Sequence, residues 1–398
     1  MREATRPSKD LFETALRVAL VLYLLAVAGL TITKGYARFM NHDSWIMGDW
    51  LINYAGGWVR RGLLGEILLR LASDLNVSPG FLAFLLFSLG YVGFFLFTYL
   101  VVRAKKSILP FVFLLFSPYF FAFQIHIPSG GYRKEVLFLF VLAFLVWAGY
   151  QWPEQRFKQI ATGILLFYPA LILSHEMLAA FLPALLGVVF LFVDFKSLTR
   201  AEIAVWSVAI VLSGIAFLKM LMLPPASPQQ ISQIHAALDR FGYTIDDTVN
   251  SGSILWLGKS YRQAQHHLRN LIFRGKYLIK YPLVTLFALL GFWPVRHALL
   301  RIRKRLPSLL LLGITWLGTL ALAVVAVDWG RLIYINLSIL VFYALVLYNG
   351  EKSALPKTIW HKVFLIVALI SYAIAWHIPH CCEYPWTGSF WTHLMFGS

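Results

Sequence analysis

Two carboxylates, Asp43 and Asp49, stand in NHDSWIMGDW, directly after an apolar run long enough to cross a bilayer. A carboxylate held just outside hydrocarbon is placed to take the proton of a hydroxyl as that hydroxyl attacks an electrophile. Asp is also a favoured cap for the short helix expected next, and the spacing leaves both roles open. Further on, Arg60 and Arg61 are adjacent. Each guanidinium offers a planar fork of donors suited to phosphate, although outward Arg also holds anionic lipid headgroups in ordinary membrane proteins.

Four more groupings carry charge where hydrocarbon is near. GGYRKE puts Arg133, Lys134 and Glu135 behind a Gly pair at the start of an apolar run, where free N–H groups and two cations together suit an anion. His175 and Glu176 form either a proton relay or a mutually satisfied pair. They have no second His four residues on, so they are not a zinc-protease motif. Asp328 and Arg331 in DWGR form an internal pair, or else Arg331 reaches a phosphate. A long stretch, 224–281, carries Asp246 and Asp247 and then a basic half with His266, His267, Lys259, Arg262, Arg269, Arg274, Lys276 and Lys280, interleaved with Tyr261, Phe273 and Tyr277. This is the composition of a lid over an anionic head.

The elements that must position these groups are membrane helices. Of 398 residues 59% are hydrophobic and 13% charged, and the mean hydropathy of +0.71 lies far above that of a soluble domain. The fold class expected is all-α: a polytopic integral membrane protein forming a single transmembrane domain, 1–398. The first span, about Leu16 to Thr33, has no small-residue cleavage site after it and reads as retained. Further candidates begin near Phe81, Ile108, Val136, Ile160, Met177, Ile203, Leu283, Leu309, Leu332 and Val363, which gives about eleven spans.

With Arg2, Arg6 and Lys9 on the cytoplasmic side, the even-numbered connections are cytoplasmic too: RAKK, EQRFK, FKSLTR, RHALLRIRKR and EKSALPK, all basic. Much of the formal charge of +17 is therefore an orientation signal, and nucleic acid is not expected as a partner. The chemistry-bearing groups fall on the opposite side, in a first outer loop, 34–78, in a long outer loop, 224–281, and in the tail HIPHCCEYPW. Within the first, Leu63, Leu64, Ile67, Leu68 and Leu71 recur at helical spacing, as in a helix lying in the interface. Cys381 and Cys382 are neighbours; they build no disulfide framework and lack CxxC spacing, and read as two ordinary thiols or a strained vicinal bridge. No metal-ligand set is legible, although a divalent cation is compatible with the acidic groups.

An outward first loop with acidic residues and an interfacial helix, about eleven spans and a long outer loop after the seventh resemble the GT-C superfamily of membrane glycosyltransferases. The resemblance implies a sugar donor linked to a polyprenyl phosphate or pyrophosphate, a glycan or lipid-glycan acceptor, and Asp43 or Asp49 as the acidic catalytic residue of the first loop. The basic long loop is also similar to that of O-antigen polymerases and ligases. By role, Arg133, Arg331 and the His266–His267 region would handle the pyrophosphate. The expected place of work is the outer face of a bacterial inner membrane, with Asp43 or Asp49 as base, Arg60, Arg61, Arg133, Lys134 and Arg331 on phosphate, and His175, Glu176, Asp328, His266 and His267 in support. The rival is a transporter or flippase of an anionic lipid-linked glycan, which would show charges in mid-span and related halves with broken helices.

Overall fold

The computed structural model describes residues 11–245, 252–350 and 358–381, and Asp246, Asp247 and Cys382 lie outside them. Among the described residues the chain is helical throughout, with no strand element. We label the main helices α1 (Leu11–Met40), α2 (Ile46–Leu51), α3 (Gly62–Leu75), α4 (Pro79–Arg103), α5 (Glu135–Gln151), α6 (Glu154–Ser174), α7 (Leu182–Phe192), α8 (Arg200–Met222), α9 (Pro228–Asp239), α10 (Ser253–Trp256), α11 (Tyr261–Arg274), α12 (Tyr277–Leu290), α13 (Leu306–Ala323), α14 (Trp329–Leu347) and α15 (Ile359–Ile374).

Among the described residues six helices are long and apolar enough to cross a membrane: α1, α4, α6, α8, α13 and α14. A seventh span results if α12 and the following Trp293–Arg303, bent by 55° at a short break, count as one. Helix α5, the stretch Glu176–Phe192 and α15 are apolar but shorter. The run beginning near Ile108, expected as a span, is instead a chain of short turns: Leu109–Phe111, Val112–Leu115, Phe123–His126 and Pro128–Gly131. Pro110, Pro118 and Pro128 account for this, since each lacks the N–H that would continue a helix and crowds the preceding turn.

The broken run is buried and becomes part of the floor beneath the charged groups. Tyr132 Oη donates to Thr31 O of α1 at 2.7 Å, Trp50 Nε1 of α2 to Tyr132 O at 2.9 Å, and Tyr91 Oη of α4 to Gly131 O at 2.5 Å. Irregular backbone is tolerated at such depth only where protein groups take up its hydrogen bonds; the Trp50 indole and the Tyr91 phenol do so at Tyr132 O and Gly131 O, and the Tyr132 phenol ties the run to α1.

Helix α14 is the central element, with 83% of its apolar window buried, against 17% for α13 and 22% for α8. The latter two present rows of large apolar side chains outward, among them Val208, Val211, Ile215 and Leu218 on α8 and Leu310, Ile314 and Leu317 on α13. These are lipid-facing surfaces by composition. Helix α3 matches the expected amphipathic segment: Leu68 is buried, Ile67, Leu71 and Leu75 form an exposed apolar edge, and Arg70 pairs with Glu66 at 2.9 Å. The long loop forms helices of its own, α9 and α11 each opening on a capping box, Ser227 with Gln230 and Ser260 with Gln263.

Candidate functional site: a cationic cavity with an apolar wall

The charged groups scattered through the sequence converge at the end of the bundle where α1 finishes. Asp49, on α2, has no exposed surface, and neither carboxylate oxygen has a hydrogen-bond partner. Its Oδ1 lies 3.8 Å from Arg61 Nη1 and 3.8 Å from Arg133 Nη1. Burial works against the charge on Asp49, but Lys134, Arg133, His175 and Arg61 outweigh it and hold the carboxyl well below the usual carboxylate range.

Each cation is fixed by other elements. Arg61 makes a forked contact to Glu176, with Nη2 to Oε1 at 2.6 Å and Nε to Oε2 at 2.8 Å. Its backbone is left-handed, φ +66°, at the entrance to α3; that conformation is uncommon for a residue with a side chain. Arg133 Nη1 donates to Trp45 O at 2.6 Å and to Ser253 Oγ at 2.8 Å, and so ties the first loop, the broken run and α10 together. Lys134 Nζ donates to Arg61 O at 2.9 Å and Ser174 O at 3.1 Å. Burial, only partly offset by Asp49, pulls the Lys134 ammonium down to about 8.

A second line of contacts runs along the mouth of α14. His175 Nε2 lies 3.3 Å from Glu135 Oε1, the same oxygen that lies 2.9 Å from Arg331 Nη1. Arg331 Nη2 pairs with Asp328 Oδ2, and Asp328 Oδ1 lies 3.3 Å from His380 Nε2. Burial opposes the charge on Asp328, but Arg331, His380 and Arg133 keep its carboxyl below the usual range. The His380 imidazole is pushed down to about 4, chiefly by burial.

Several of these groups border a cavity of about 570 Å³. One side carries Arg60, Arg61, Arg133, Glu176, Asp328, Arg331 and His380, while the ends of α8 and α13 supply an apolar wall of Phe217, Leu221, Leu322 and Val325. Trp256, Lys259, Tyr261 and His267 from the long loop form a further side. The loop is held there in part by Arg60, whose guanidinium donates to Leu257 O at 3.5 Å and Lys259 O at 3.4 Å and lies 5.2 Å from the Tyr261 ring.

Arg60, Arg61, Arg133, Glu176, Asp328, Arg331 and His267 thus share one cavity, with Asp49, Lys134 and His175 in contact with it through them. Asp43 is elsewhere: its Oδ1 accepts from Trp45 N at 3.0 Å and Ile46 N at 2.8 Å, and its Oδ2 pairs with Arg38 at 3.2 Å. It acts as the turn leading into α2, the capping role the spacing allowed. Asp49 is nearer the centre but stands behind the arginines rather than on the cavity surface. His266 is exposed and does not border the cavity. The sequence did not single out Ser253 or Trp45, offered Cys381 only as an ordinary thiol or half of a vicinal bridge with Cys382, and held His380 only within the outward tail. The polar tail following α15, HIPHCC, was the one available signal for the last two.

The same chemistry recurs at the α1 start, where Glu13 accepts from Arg17 Nε at 2.9 Å, Ser107 Oγ at 2.8 Å and Ile108 N at 2.8 Å. No cavity residue belongs to that group. Comparison of the chain with protein-family models, with curated proteins and with solved structures found no match.

Proposed function

We propose that this protein is a membrane glycosyltransferase of GT-C type that draws a sugar from a polyprenyl phosphate or pyrophosphate, in assembly of a surface polysaccharide or lipid-linked glycan. The observation that carries the reading is the two-sided cavity. Arginines from three separate elements, Arg61, Arg133 and Arg331, border the same space as an apolar wall formed by helices with lipid-facing surfaces. A charged head and a hydrocarbon tail on one molecule satisfy both sides at once, and a free sugar phosphate satisfies only one.

In this reading the guanidiniums stabilise the negative charge that grows on the departing phosphate, and they do so from fixed positions. Glu176 holds Arg61 in place, and Asp49, unable to reach the cavity, balances the arginine pair from behind. Among the described residues the carboxylates bordering the cavity are Glu176 and Asp328, and one of them takes the proton of the acceptor hydroxyl as the new glycosidic bond forms. In this reading the site works on the outer face of a bacterial-type inner membrane, and the basic connections expected on the opposite side support that placement.

The test is transfer of a labelled sugar from a lipid-linked donor by the full-length protein in liposomes, with Glu176→Gln and Asp328→Asn compared with the parent. Product formation that falls steeply in one of the two variants supports the reading. Movement of the lipid-linked glycan between leaflets with no new glycosidic bond sinks it and favours a transporter. The bent pair that α12 makes with Trp293–Arg303 is the feature that suits transport, but its break, Gly291–Phe292, borders no part of the cavity.

A further inference from the structure

The tail after α15 folds back onto the start of α14 and is pinned there backbone first. Gly330 N donates to His380 O at 3.3 Å, Tyr281 Oη to the same oxygen at 2.6 Å, and Tyr277 Oη to Cys381 O at 2.7 Å. The approach is so close that a Cβ on Gly330 would stand 1.8 Å from Pro379 O, and one on Gly130 would stand 2.8 Å from His380 Nδ1. Two positions without side chains, on separate elements, therefore make room for this short tail segment. The result is that one ligand atom each from Asp328, His380 and Cys381 come within 4.8 Å of one another, at the edge of the cavity.

We propose that Asp328, His380 and Cys381 form a binding site for a divalent cation of the zinc class, with its open position toward the cavity. A carboxylate, an imidazole and a thiolate are the donor set that a borderline-soft ion selects, and three protein ligands with one vacant position is the usual plan of a reactive zinc site. The 3.3 Å between Asp328 Oδ1 and His380 Nε2 matches the ~3.4 Å edge between two ligands about 2.1 Å from one tetrahedral ion. Asp328 divides its oxygens accordingly: Oδ2 stays with Arg331 and Oδ1 faces the imidazole. Arg331 and Arg133 oppose a bare cation, and the carboxylate and thiolate supply the two negative charges that offset it.

This assignment shares its cavity with the proposed transfer reaction but does not depend on it. If both hold, the ion occupies Asp328 and leaves Glu176 as the carboxylate for the acceptor proton, with the ion adding positive charge beside the phosphate.

The experiment needs no sugar donor. Full-length protein in detergent, reduced and stripped with a chelator, is titrated with cobalt(II), and zinc is then added as competitor. The expected result is one equivalent bound at micromolar metal, with a near-ultraviolet thiolate-to-cobalt band and the strong visible bands of a tetrahedral site, both removed by zinc. Cys381→Ser abolishes the thiolate band, Cys382→Ser retains it, and Asp328→Asn and His380→Ala weaken binding at least about tenfold. Absence of the thiolate band, or a band that survives Cys381→Ser, overturns the site. Thermal unfolding of the two serine variants alongside the parent shows that a lost band is not a lost fold, and a transfer assay that fails leaves this result untouched.

Discussion

Two buried carboxylates at opposite ends of α1 meet the same kinds of partner and are treated differently. Glu13, in the first turn, has three hydrogen bonds from Arg17, Ser107 and the Ile108 amide. The Asp49 carboxylate, beyond the last turn, is surrounded by more positive charge and accepts no hydrogen bond. A carboxylate whose lone pairs are filled is finished as a structural element, since nothing is gained by moving it. One held only by longer-range attraction keeps its neighbours charged while their donors go to other partners, Arg61 to Glu176, Arg133 to Trp45 O and Ser253, and Lys134 to two backbone carbonyls. The bundle thus has a closed polar end and an open one, and the open end borders the cavity.

The sharpest way to break this contrast is to remove one arginine from each end. Arg331→Ala is expected to lower transfer about 10²- to 10³-fold, the scale of losing one fixed donor to a developing anion, and Arg17→Ala to leave turnover per folded molecule unchanged. Equal losses in the liposome assay would erase the distinction.

The next effect is on the carboxylates themselves. Glu13→Ala should cost about 2–3 kcal/mol in unfolding, from hydrogen bonds made to a charged acceptor, with activity per folded molecule retained. Asp49→Asn should lose activity as well as stability. Because the Asp49 carboxyl is held below its ordinary value, its stabilising contribution is complete above the unfolded pKa of 3.8 and fades as pH falls toward the lower folded value. The thermal midpoints of parent and Asp49→Asn should accordingly converge on acidification.

A smaller signature belongs to Lys134. Its folded pKa of about 8 lies below the ordinary 10.5, so between these values the folded state binds fewer protons than the unfolded state. Stability from this group therefore rises with pH across that window, and below about 8 the burial penalty is complete. Thermal unfolding of Lys134→Met should lack the rise seen in the parent, and parallel pH profiles would place Lys134 in water. Smallest of all, Thr199→Ala removes the capping box of α8, which belongs neither to the Glu13 group nor to the cavity, and should cost about 1 kcal/mol with no change in transfer.

Much of this arrangement is written locally. The apolar runs, the amphipathic α3 and the helices of the long loop follow from period and caps, because each is decided within a few neighbouring residues. Arg61, Arg133 and Arg331 were legible as charges lying close to hydrocarbon. The run after Ile108 misled on composition alone, since its three prolines outweigh its hydropathy once the backbone must close its hydrogen bonds. Between Asp43 and Asp49 the sequence offers no choice: both precede or occupy a short helix, and only folding turns one into a cap and the other inward. The meeting of Asp328 with His380 and Cys381 depends on a tail crossing back over more than fifty positions of chain, and no local pattern encodes such a crossing.

Arg61 serves both the fold and the cavity. Its left-handed backbone costs the fold about 1–3 kcal/mol, which Gly would largely recover and Asn would reduce. A library randomised at this position and sorted for thermal survival alone should enrich Gly and Asn, while the same library sorted for product should return Arg. The two winners would separate what the membrane bundle prefers from what the cavity demands, at a single codon.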